Sequence, residues 1–361
     1  MPHPRRLLVA VVVLVACVAP APADAATVAT TAHAALRELV AHHRLDPLLA
    51  SRHHALLAVA QERAIAALGH RNASARQQRE AVLGASAGML MALFSPAAAP
   101  VARGASPLAI GLAAARDVLA ERAGDGHDLA WDGVLPTGPG LWYSSANPPA
   151  APLRPRWSQT DAWFLDSDER FLPPPPPAYG SSEFVAALAE VRAISDTRTP
   201  EQLAIAQRWG DGPGTPTPPG HWNAIACALI DEACHDEGEA AAALSLVQRA
   251  VMDAGICVWH AKYAYCLARP PQADPAITTP IGLPNFPAYT SGHAGFSGAA
   301  SEVLAYLFPE RAGDLRAMAE EAAASRVIAG IHYRFDGEWG LWQGRQVAEA
   351  AIAAAVPVAC H

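Results

Sequence analysis

Most of the chain places apolar residues at helical spacing, and no segment shows a convincing two-residue alternation of the strand type. Leu36, Leu39 and Val40 form one helical stripe, and Leu56 and Leu57 begin another. Alanine is abundant and runs of β-branched residues are scarce, which favours helices. The pattern predicts an all-α protein whose helices pack together as a bundle.

Capping signals and proline positions divide this helical pattern into elements. Residues 26–124 are predicted to form the N-terminal helices of the bundle. Further on, Thr199 is suited to cap a helix that has Pro200 in its first turn. The helices of the second half are predicted to begin near Ser182 and Pro200, and then to span about residues 221–237, 239–268, 292–307, 311–331 and 335–355.

One long segment, residues 125–181, lacks helical periodicity and is rich in proline, glycine and tryptophan. Residues 173–177 are consecutive prolines, which favour the polyproline II conformation. A ligand for a proline-binding module is one interpretation, but an ordered or semi-rigid crossover along the surface is favoured in an exported chain. The chain is therefore divided into N-terminal helices, this irregular crossover, and a catalytic region over residues 182–361.

The N-terminus is typical of an export signal, predicted to occupy residues 1–25. A positive start with Arg5 and Arg6 precedes an apolar run, and a small-x-small cleavage site ends at Ala25. We therefore expect a protein exported to the periplasm or the extracellular space. The alternative is a bacterial lipobox that ends at Cys17, which would leave the protein anchored to a membrane by lipid.

Composition and charge exclude several classes of protein. No segment after the leader has the uninterrupted apolar length of a transmembrane helix, so we expect a mature protein that is soluble or tethered only at its end. Of the six cysteines, five follow Cys17, and an oxidising compartment permits disulfides but leaves at least one of the five unpaired. The net charge of −8 gives no sign of a nucleic-acid surface. Any anion site must therefore be a local basic pocket in an acidic protein.

Three short stretches in the last third of the chain concentrate its reactive side chains. In the first, Lys262 and Arg269 are seven residues apart, so they are predicted to share one face of a helix that a proline then closes. In the second, Ser291, Gly292 and His293 stand at a predicted helix start. There the free N–H groups and the positive end of the dipole favour an anion, and glycine allows it to approach the backbone closely.

The third stretch carries Ser325, Arg326, His332 and Asp336, with the first three predicted to lie near the end of one helix. If helical geometry persists, Asp336 accepts a hydrogen bond from one ring nitrogen of His332, and the other nitrogen is left as an electron-pair donor. Taken singly, the stretches have ordinary structural interpretations: solvated cations, a helix cap, and a structural His–Asp pair. Together they supply what a tetrahedral oxyanion such as phosphate or vanadate needs.

The order Lys-x6-Arg-Pro, Ser-Gly-His and Ser-Arg-x5-His-x3-Asp resembles the superfamily of vanadium-dependent haloperoxidases and type 2 phosphatidic-acid phosphatases. Trp259 before Lys262, the run Phe286-Pro287-Ala288-Tyr289, and the run Tyr333-Arg334-Phe335 before Asp336 resemble the chloroperoxidase branch more closely. The segment Trp209-Gly210-Asp211-Gly212 also has a counterpart there, which would place Asp211 against Arg326. Thr290 stands where proline is usual and is itself able to cap the helix.

This resemblance implies a helical fold of that superfamily and a haloperoxidase-like activity that uses vanadate as cofactor and hydrogen peroxide and halide as substrates. His332 would bond the vanadium, with Asp336 as its partner carboxylate, and His293 would remove a proton from peroxide. Asp211 would join the catalytic residues through its place against Arg326. Trp259 and Phe286 would line the halide side of the pocket. The oxyanion would be bound by Lys262, Arg269, Ser291, Gly292 and Arg326.

Two alternatives use the same residues. In an exported acid phosphatase without a cofactor, His332 would attack a phosphate monoester to form a phosphohistidine, and His293 would protonate the leaving alkoxide. In a non-catalytic protein the pocket would only bind an oxyanion. The presence of both His293 and His332 argues against this last hypothesis, since anion binding alone requires neither.

Overall fold

The computed structural model describes residues 26–69, 73–98, 100, 103–233 and 236–355, so the predicted leader and Cys17 lie outside the described residues. This part of the chain is helical and has no strand, as the sequence predicted, and its only β-type pairings are two isolated bridges. The α-helices are α1 (Val28–His42), α2 (Pro47–Ala67), α3 (Ala75–Phe94), α4 (Pro107–Glu121), α5 (Ser182–Thr197), α6 (Pro200–Arg208), α7 (Thr217–Ala233), α8 (Glu237–Tyr265), α9 (Pro270–Ala273), α10 (Gly292–Leu307), α11 (Ala312–Ile328) and α12 (Arg334–Ala354).

Side-chain caps fix several helix starts at the residues that the sequence indicates. Thr199 caps α6 and accepts from the backbone N–H of Gln202, whose side chain bonds back to Thr199, and Pro200 stands in the first turn. Asp46 likewise caps α2, and Pro47 follows it in the first turn of that helix. Because each cap satisfies N–H groups that have no partner within the helix, the boundary is set locally by residue type.

Three predicted boundaries are wrong, each for a local reason. Helix α8 ends at Tyr265 because Cys266 adopts a left-handed φ of 48°, so Arg269 lies outside the helix that carries Lys262. Helix α11 ends at Ile328 ahead of Gly330, which has a φ of 75°, so His332 lies in a turn and not on the helix of Arg326. Helix α7 spans residues 217–233 instead of 221–237, since prolines are tolerated in a first turn.

The described residues divide into two compact units. The first takes the described residues among 26–124 and 213–249, together with Ala355, and contains α1 to α4, α7 and the first part of α8. Within it two histidines are fully buried: the Nδ1 atoms of His33 and His54 are 2.9 Å apart, and the side-chain nitrogen of Asn223 lies 3.0 Å from His33 Nδ1.

The second unit comprises Asp125–Gly212 and Ala250–Ala354 and contains every candidate site residue. Its irregular segment is tied to the helices by specific hydrogen bonds. The buried carboxylate of Asp253 accepts from the backbone N–H groups of Trp163 and Phe164 at 2.9 and 2.8 Å. The hydroxyls of Tyr265 and Tyr289 donate to the carbonyls of Pro173 and Pro174 at 2.6 and 2.7 Å. The polyproline run is therefore held against the helices of this unit, while Pro174 and Pro175 are exposed.

Helices α10 and α12 approach each other closely through glycines. A Cβ on Gly340 would lie 2.7 Å from the carbonyl oxygen of Ser291, and one on Gly344 would lie 2.2 Å from that of Gly295. Only residues without a side chain allow this separation. The close packing holds the start of α10, with Ser291 and His293, against the start of α12, with Asp336.

Helix α8 is long and apolar enough to cross a membrane by length and composition, and 89% of its most apolar 18-residue stretch is buried inside the protein. The described cysteines Cys227, Cys257 and Cys266 are buried free thiols. Burial raises the pKa of the Cys227 thiol to about 11, which keeps it protonated and unreactive at neutral pH.

Candidate active site

The candidate site residues lie at helix ends and in the adjoining turns of the second unit. Lys262 is in the last turn of α8, and Arg326 is in the last turn of α11. Arg269 immediately precedes α9, His332 lies between α11 and α12, and Asp336 is in the first turn of α12. Helix ends suit this role because their backbone groups and adjoining turns can face a small ligand.

His332 is held in one tautomer by two partners. Its Nδ1 lies 2.7 Å from Oδ2 of Asp336, and its Nε2 lies 2.9 Å from Nη1 of Arg269. A guanidinium can only donate, so Nε2 must be the acceptor and Nδ1 must carry the proton. Burial, together with the charges of Arg269 and Lys262, lowers the pKa of His332 well below its usual value. The imidazole is therefore neutral, and the electron pair on Nε2 accepts the hydrogen bond from Arg269.

Asp336 is fully buried and its Oδ2 also accepts from the backbone N–H of Tyr333 at 3.1 Å. Burial raises the pKa of this carboxyl, while the charges of Lys262 and Arg269 oppose the rise. The backbone carbonyl of Asp336 accepts from the N–H of Ser291 at 2.9 Å. The carboxylate thus orients His332, and the main chain of the same residue fixes the start of α10.

Arg269 is fully buried and makes contacts with only part of its guanidinium. Nε donates to the carbonyl of Phe286 at 3.0 Å, and Nη1 donates to that of Ile331 at 2.9 Å as well as to His332. Nη2 has no hydrogen-bond acceptor among the described residues. Burial lowers the pKa of Arg269 to about 9, so the side chain is still charged at neutral pH.

Arg326, like Arg269, is buried and uses only part of its guanidinium in hydrogen bonds. Nε donates to the hydroxyl of Ser325 at 2.9 Å and Nη2 to the carbonyl of Ala206 at 3.2 Å, while Nη1 has no acceptor among the described residues. Burial lowers the pKa of Arg326 to about 10, and the nearby charge of Asp211 opposes this shift. The expected proximity of Asp211 and Arg326 is thus present.

Lys262 directs its ammonium at the backbone. Nζ donates to the carbonyls of Pro287 and Ala288 at 3.0 Å each, and to that of Thr290 at 2.5 Å. Three acceptors require all three ammonium protons, so the side chain is charged although burial and Arg269 lower its pKa. Lys262 therefore adds positive charge to the site and at the same time shapes the loop before α10.

The Ser-Gly-His stretch begins α10, as predicted. Ser291, not Thr290, is the N-cap, and its hydroxyl accepts from the N–H of Ala294 at 3.4 Å. Gly292 lies against the ring of Trp259, where an added Cβ would be 3.4 Å from a ring carbon. Nε2 of His293 lies 3.9 Å from Oδ2 of Asp211. His293 thus has a carboxylate neighbour at ion-pair distance, beyond the range of a direct hydrogen bond.

The two aromatic residues predicted to line the site pack together and onto the cations. The rings of Trp259 and Phe286 have centroids 5.1 Å apart. Lys262 Nζ lies 5.1 Å from the centroid of Phe286, and the guanidinium carbon of Arg269 lies 4.9 Å from it. The indole N–H of Trp259 donates to the carbonyl of Leu153 at 3.1 Å, so the irregular segment holds this ring in place. Cation–π contacts of this kind stabilise desolvated charges.

The charges of these residues do not balance without a ligand. Lys262, Arg269 and Arg326 are 0%, 0% and 1% exposed, and they face two carboxylates, Asp336 and Asp211. Uncompensated buried charge costs several kcal/mol per ion. An oxyanion would supply the missing negative charge and accept from Nη2 of Arg269 and Nη1 of Arg326. Vanadate and phosphate both fit this donor set.

Sequence reasoning missed two polar residues next to the site. Gln343 accepts from the hydroxyl of Thr290 and donates to the carbonyls of Phe171 and Cys257 at 2.9 and 3.2 Å. The sequence indicates Gln343 only by its position three residues after Gly340, which places this polar side chain on the face of α12 that packs against α10. Glu321 accepts from the indole N–H of Trp209 at 2.9 Å, and nothing in the sequence distinguishes it from a surface carboxylate.

The chain is similar in sequence to known proteins. The family model described as the PAP2 superfamily matches residues 242–356. The vanadium chloroperoxidase of Curvularia inaequalis is 27% identical over 217 residues, which are 47% of this chain and 36% of that protein. The chain thus spans about a third of the length of this curated relative.

Solved structures resemble the chain over most of its length. A bacterial vanadium-dependent iodoperoxidase is 24% identical with a TM-score of 0.74, covering 91% of this chain and 96% of that one. A bacterial vanadium-dependent chloroperoxidase in its apo form is 14% identical with a TM-score of 0.70, covering 85% of this chain and 94% of that one. Residues 242–356 therefore match the PAP2 superfamily in sequence, and the chain has the same helical fold as these solved vanadium-dependent haloperoxidases.

Proposed function

We propose that this protein is a vanadate-dependent haloperoxidase, which oxidises a halide with hydrogen peroxide. The observation that carries the proposal is the electron pair on Nε2 of His332, directed by Asp336 and placed beside the buried cations. The relatives named as a chloroperoxidase and an iodoperoxidase support it.

Vanadate would be bonded by Nε2 of His332, in place of the hydrogen bond that this atom accepts from Arg269. The open N–H groups of Arg269 and Arg326, with Ser291 and Gly292 at the start of α10, would hydrogen-bond its oxygens, and Lys262 would add positive charge. When bound, vanadate supplies a Lewis acid that makes hydrogen peroxide more electrophilic towards halide.

The remaining steps belong to the chain's own side chains. His293, with Asp211 beside Nε2, would take a proton from hydrogen peroxide as it enters and return it to the departing oxygen. Asp336 keeps His332 in the tautomer that the bond to vanadium requires. Trp259 and Phe286 would exclude water from the halide side of the pocket.

An acid phosphatase is the second candidate, favoured by the match of residues 242–356 to the PAP2 superfamily. The neutral Nε2 of His332 is suited to attack phosphorus, and the cations would stabilise charge on the phosphoryl oxygens. His293 would protonate the leaving alkoxide and then activate water. No cofactor would then be needed.

One experiment separates these candidates. The purified protein is incubated with orthovanadate and assayed for bromide, chloride and iodide oxidation by peroxide, and without vanadate it is assayed for p-nitrophenyl phosphate hydrolysis. Halide oxidation supports the first candidate, whereas hydrolysis that vanadate inhibits, without halide oxidation, supports the second. If phosphate binds but neither activity appears, the site only binds oxyanions.

The variant His332→Ala should lose whichever activity the parent has, since it removes the atom that bonds vanadium or phosphorus. His260→Ala is a matched control in the same unit, because His260 is partly exposed and paired with Asp168 at 3.0 Å. Full activity in His332→Ala would contradict the site assignment.

Export is proposed from the leader, residues 1–25, with lipid anchoring at Cys17 as the alternative. N-terminal sequencing and mass measurement of the protein expressed in a bacterial host decide this. A mature chain that begins at Ala26 supports plain export, a lipidated Cys17 supports anchoring, and an intact Met1 contradicts both.

A further inference from the structure

The segment after α6 holds Asp211 in an uncommon backbone conformation. Asp211 has a φ of 43°, in the left-handed region, which disfavours a residue with a side chain although aspartate tolerates it better than most. Such a conformation persists only where the surrounding structure holds it. Since Oδ2 of Asp211 lies 3.9 Å from Nε2 of His293, whatever holds this segment also sets the geometry of that pair.

Hydrogen bonds from α11 reach this segment. Nη2 of Arg326 donates to the carbonyl of Ala206, and Oε1 of Glu321 accepts from the indole N–H of Trp209 at 2.9 Å. Trp209 is 2% exposed and stands two residues before Asp211. Glu321 lies outside all three sequence stretches, five residues before Arg326.

The same carboxylate oxygen also accepts from Nη1 of Arg208 at 2.8 Å. The side chains of Arg208 and Glu321 are 58% and 35% exposed, so solvent screens this ion pair and its contribution is small. The bond to Trp209 is made by a buried ring and is better shielded. Of the two contacts that Glu321 makes, the hydrogen bond with Trp209 is therefore the better suited to hold the segment.

We propose that Glu321 is a positioning residue, which acts through Trp209 to keep Asp211 beside His293 and Arg326. This role of Glu321 rests on the proposed function, because the position of Asp211 affects catalysis only if His293 moves a proton. Glu321 has no contact with the oxyanion pocket itself among its hydrogen bonds in the described structure.

The test compares variants that remove the bond to Trp209 with variants that keep it. Glu321→Ala and Trp209→Phe both remove the bond, and the second keeps most of the ring volume. Glu321→Gln keeps an oxygen acceptor for the indole, and Arg208→Ala removes only the exposed ion pair. Glu320→Ala is the matched surface control, since Glu320 pairs with Arg345 at 3.4 Å and is 66% exposed.

In the halide-oxidation assay, Glu321→Ala and Trp209→Phe should lower kcat/KM for peroxide about 10- to 100-fold, the usual range for residues that orient a reacting group. The KM for halide should stay unchanged. Glu321→Gln, Arg208→Ala and Glu320→Ala should stay within about twofold of the parent. If the parent hydrolyses phosphate esters instead, the same ranking is expected in kcat for that reaction.

Amide hydrogen exchange of residues 209–212, followed by mass spectrometry, gives a readout that does not depend on activity. Exchange should be faster in Glu321→Ala and Trp209→Phe than in the parent, and unchanged in the other three variants. A parent without activity but with this exchange pattern would overturn the proposed function and leave the positioning contact in place. An active parent with Glu321→Ala equal to it in rate and exchange overturns the inference, and so does an Arg208→Ala variant as impaired as Glu321→Ala.

Discussion

The hydroxyl of Thr290 donates a hydrogen bond to the side-chain oxygen of Gln343. Thr290 immediately precedes Ser291, the N-cap of α10. Thr290 and Gln343 are fully buried, and the amide of Gln343 is held in turn by the carbonyls of Phe171 and Cys257. The carbonyl of Thr290 accepts from Lys262. A single threonine therefore connects α12 to a site cation, at the position where the superfamily resembled by the sequence usually has proline.

Replacing Thr290 tests this connection. Thr290→Val keeps the shape of the side chain but leaves the oxygen of Gln343 buried without its donor, so the free energy of unfolding should fall by about 1–3 kcal/mol. Thr290→Ser keeps the hydroxyl and should recover most of this loss. Denaturant unfolding of the three proteins measures the difference. Equal stability of Thr290→Val and the parent would mean that the bond contributes nothing.

Asp336→Asn tests whether the carboxylate sets the tautomer of His332. The amide can donate to Nδ1 and so favours the proton on Nε2, which would block the electron pair facing Arg269. We expect activity and orthovanadate affinity to fall about 10- to 100-fold. Glu338→Gln, an exposed carboxylate change on the same helix, should leave both unchanged. Titration calorimetry with orthovanadate, beside the activity assay, measures the effect.

The excess of buried positive charge predicts that an oxyanion stabilises the fold. At orthovanadate 100 times its dissociation constant, the gain should be about 2.7 kcal/mol, seen as a higher unfolding temperature. Arg326→Lys keeps the charge but cannot keep all the contacts of the guanidinium, so the gain should shrink. Arg316→Lys, at an exposed position of the same helix, should behave as the parent does. A parent that vanadate and phosphate leave unchanged in unfolding temperature contradicts the pocket.

The close approach of α10 and α12 is tested by adding one methyl group. Gly344→Ala would place a Cβ 2.2 Å from the carbonyl oxygen of Gly295, so the helices must separate, at a cost of about 1–3 kcal/mol. Gly313→Ala on α11 meets no atom within 4 Å and should be neutral or stabilise by up to about 1 kcal/mol. Thermal unfolding compares the two. Separation of the helices should also weaken orthovanadate binding, since Ser291 and Asp336 lie on opposite sides of this contact.

The buried histidines His33 and His54 should lower the free energy of unfolding in acid. Burial lowers the pKa of His33 to about 3 and that of His54 well below its usual value. In the unfolded chain both take up a proton below about pH 6.5, so the unfolded state binds more protons and stability falls with pH from 6.5 downwards. Each group contributes a slope of up to about 1.4 kcal/mol per pH unit.

His54→Gln should remove one of these groups and flatten the decline between pH 6.5 and 4, measured by urea unfolding at several pH values. Burial raises the pKa of Glu237, which acts in the opposite direction in acid, so the variant is compared with the parent and not with an absolute slope. Identical slopes in variant and parent would show that His54 is not neutral in the folded protein.

The sequence by itself determined the helical fold class, several helix starts and the identity of the residues in the motif. Helical periodicity predicted the all-α fold, and caps such as Thr199 with Pro200 set helix starts, because they depend on neighbouring residues alone. The motif residues were also identifiable from sequence: Lys262, Arg269, Arg326, His332 and Asp336 are all buried, and His332 and Asp336 form the expected hydrogen bond. Residue type and spacing were sufficient for that much.

Only the tertiary structure decided how these groups are used. The N–H groups of Arg269 and Arg326 that lack an acceptor, and the commitment of Lys262 to three carbonyls, depend on backbone brought in from distant segments. Glu321 shows no local signal, and the position of Gln343 near Gly340 does not reveal its partner, because the partners of Gln343 and Glu321, Thr290 and Trp209, are 53 and 112 residues away. Such contacts follow from how the helices pack, which close-contact glycines such as Gly344 determine, and no short stretch of sequence encodes that geometry.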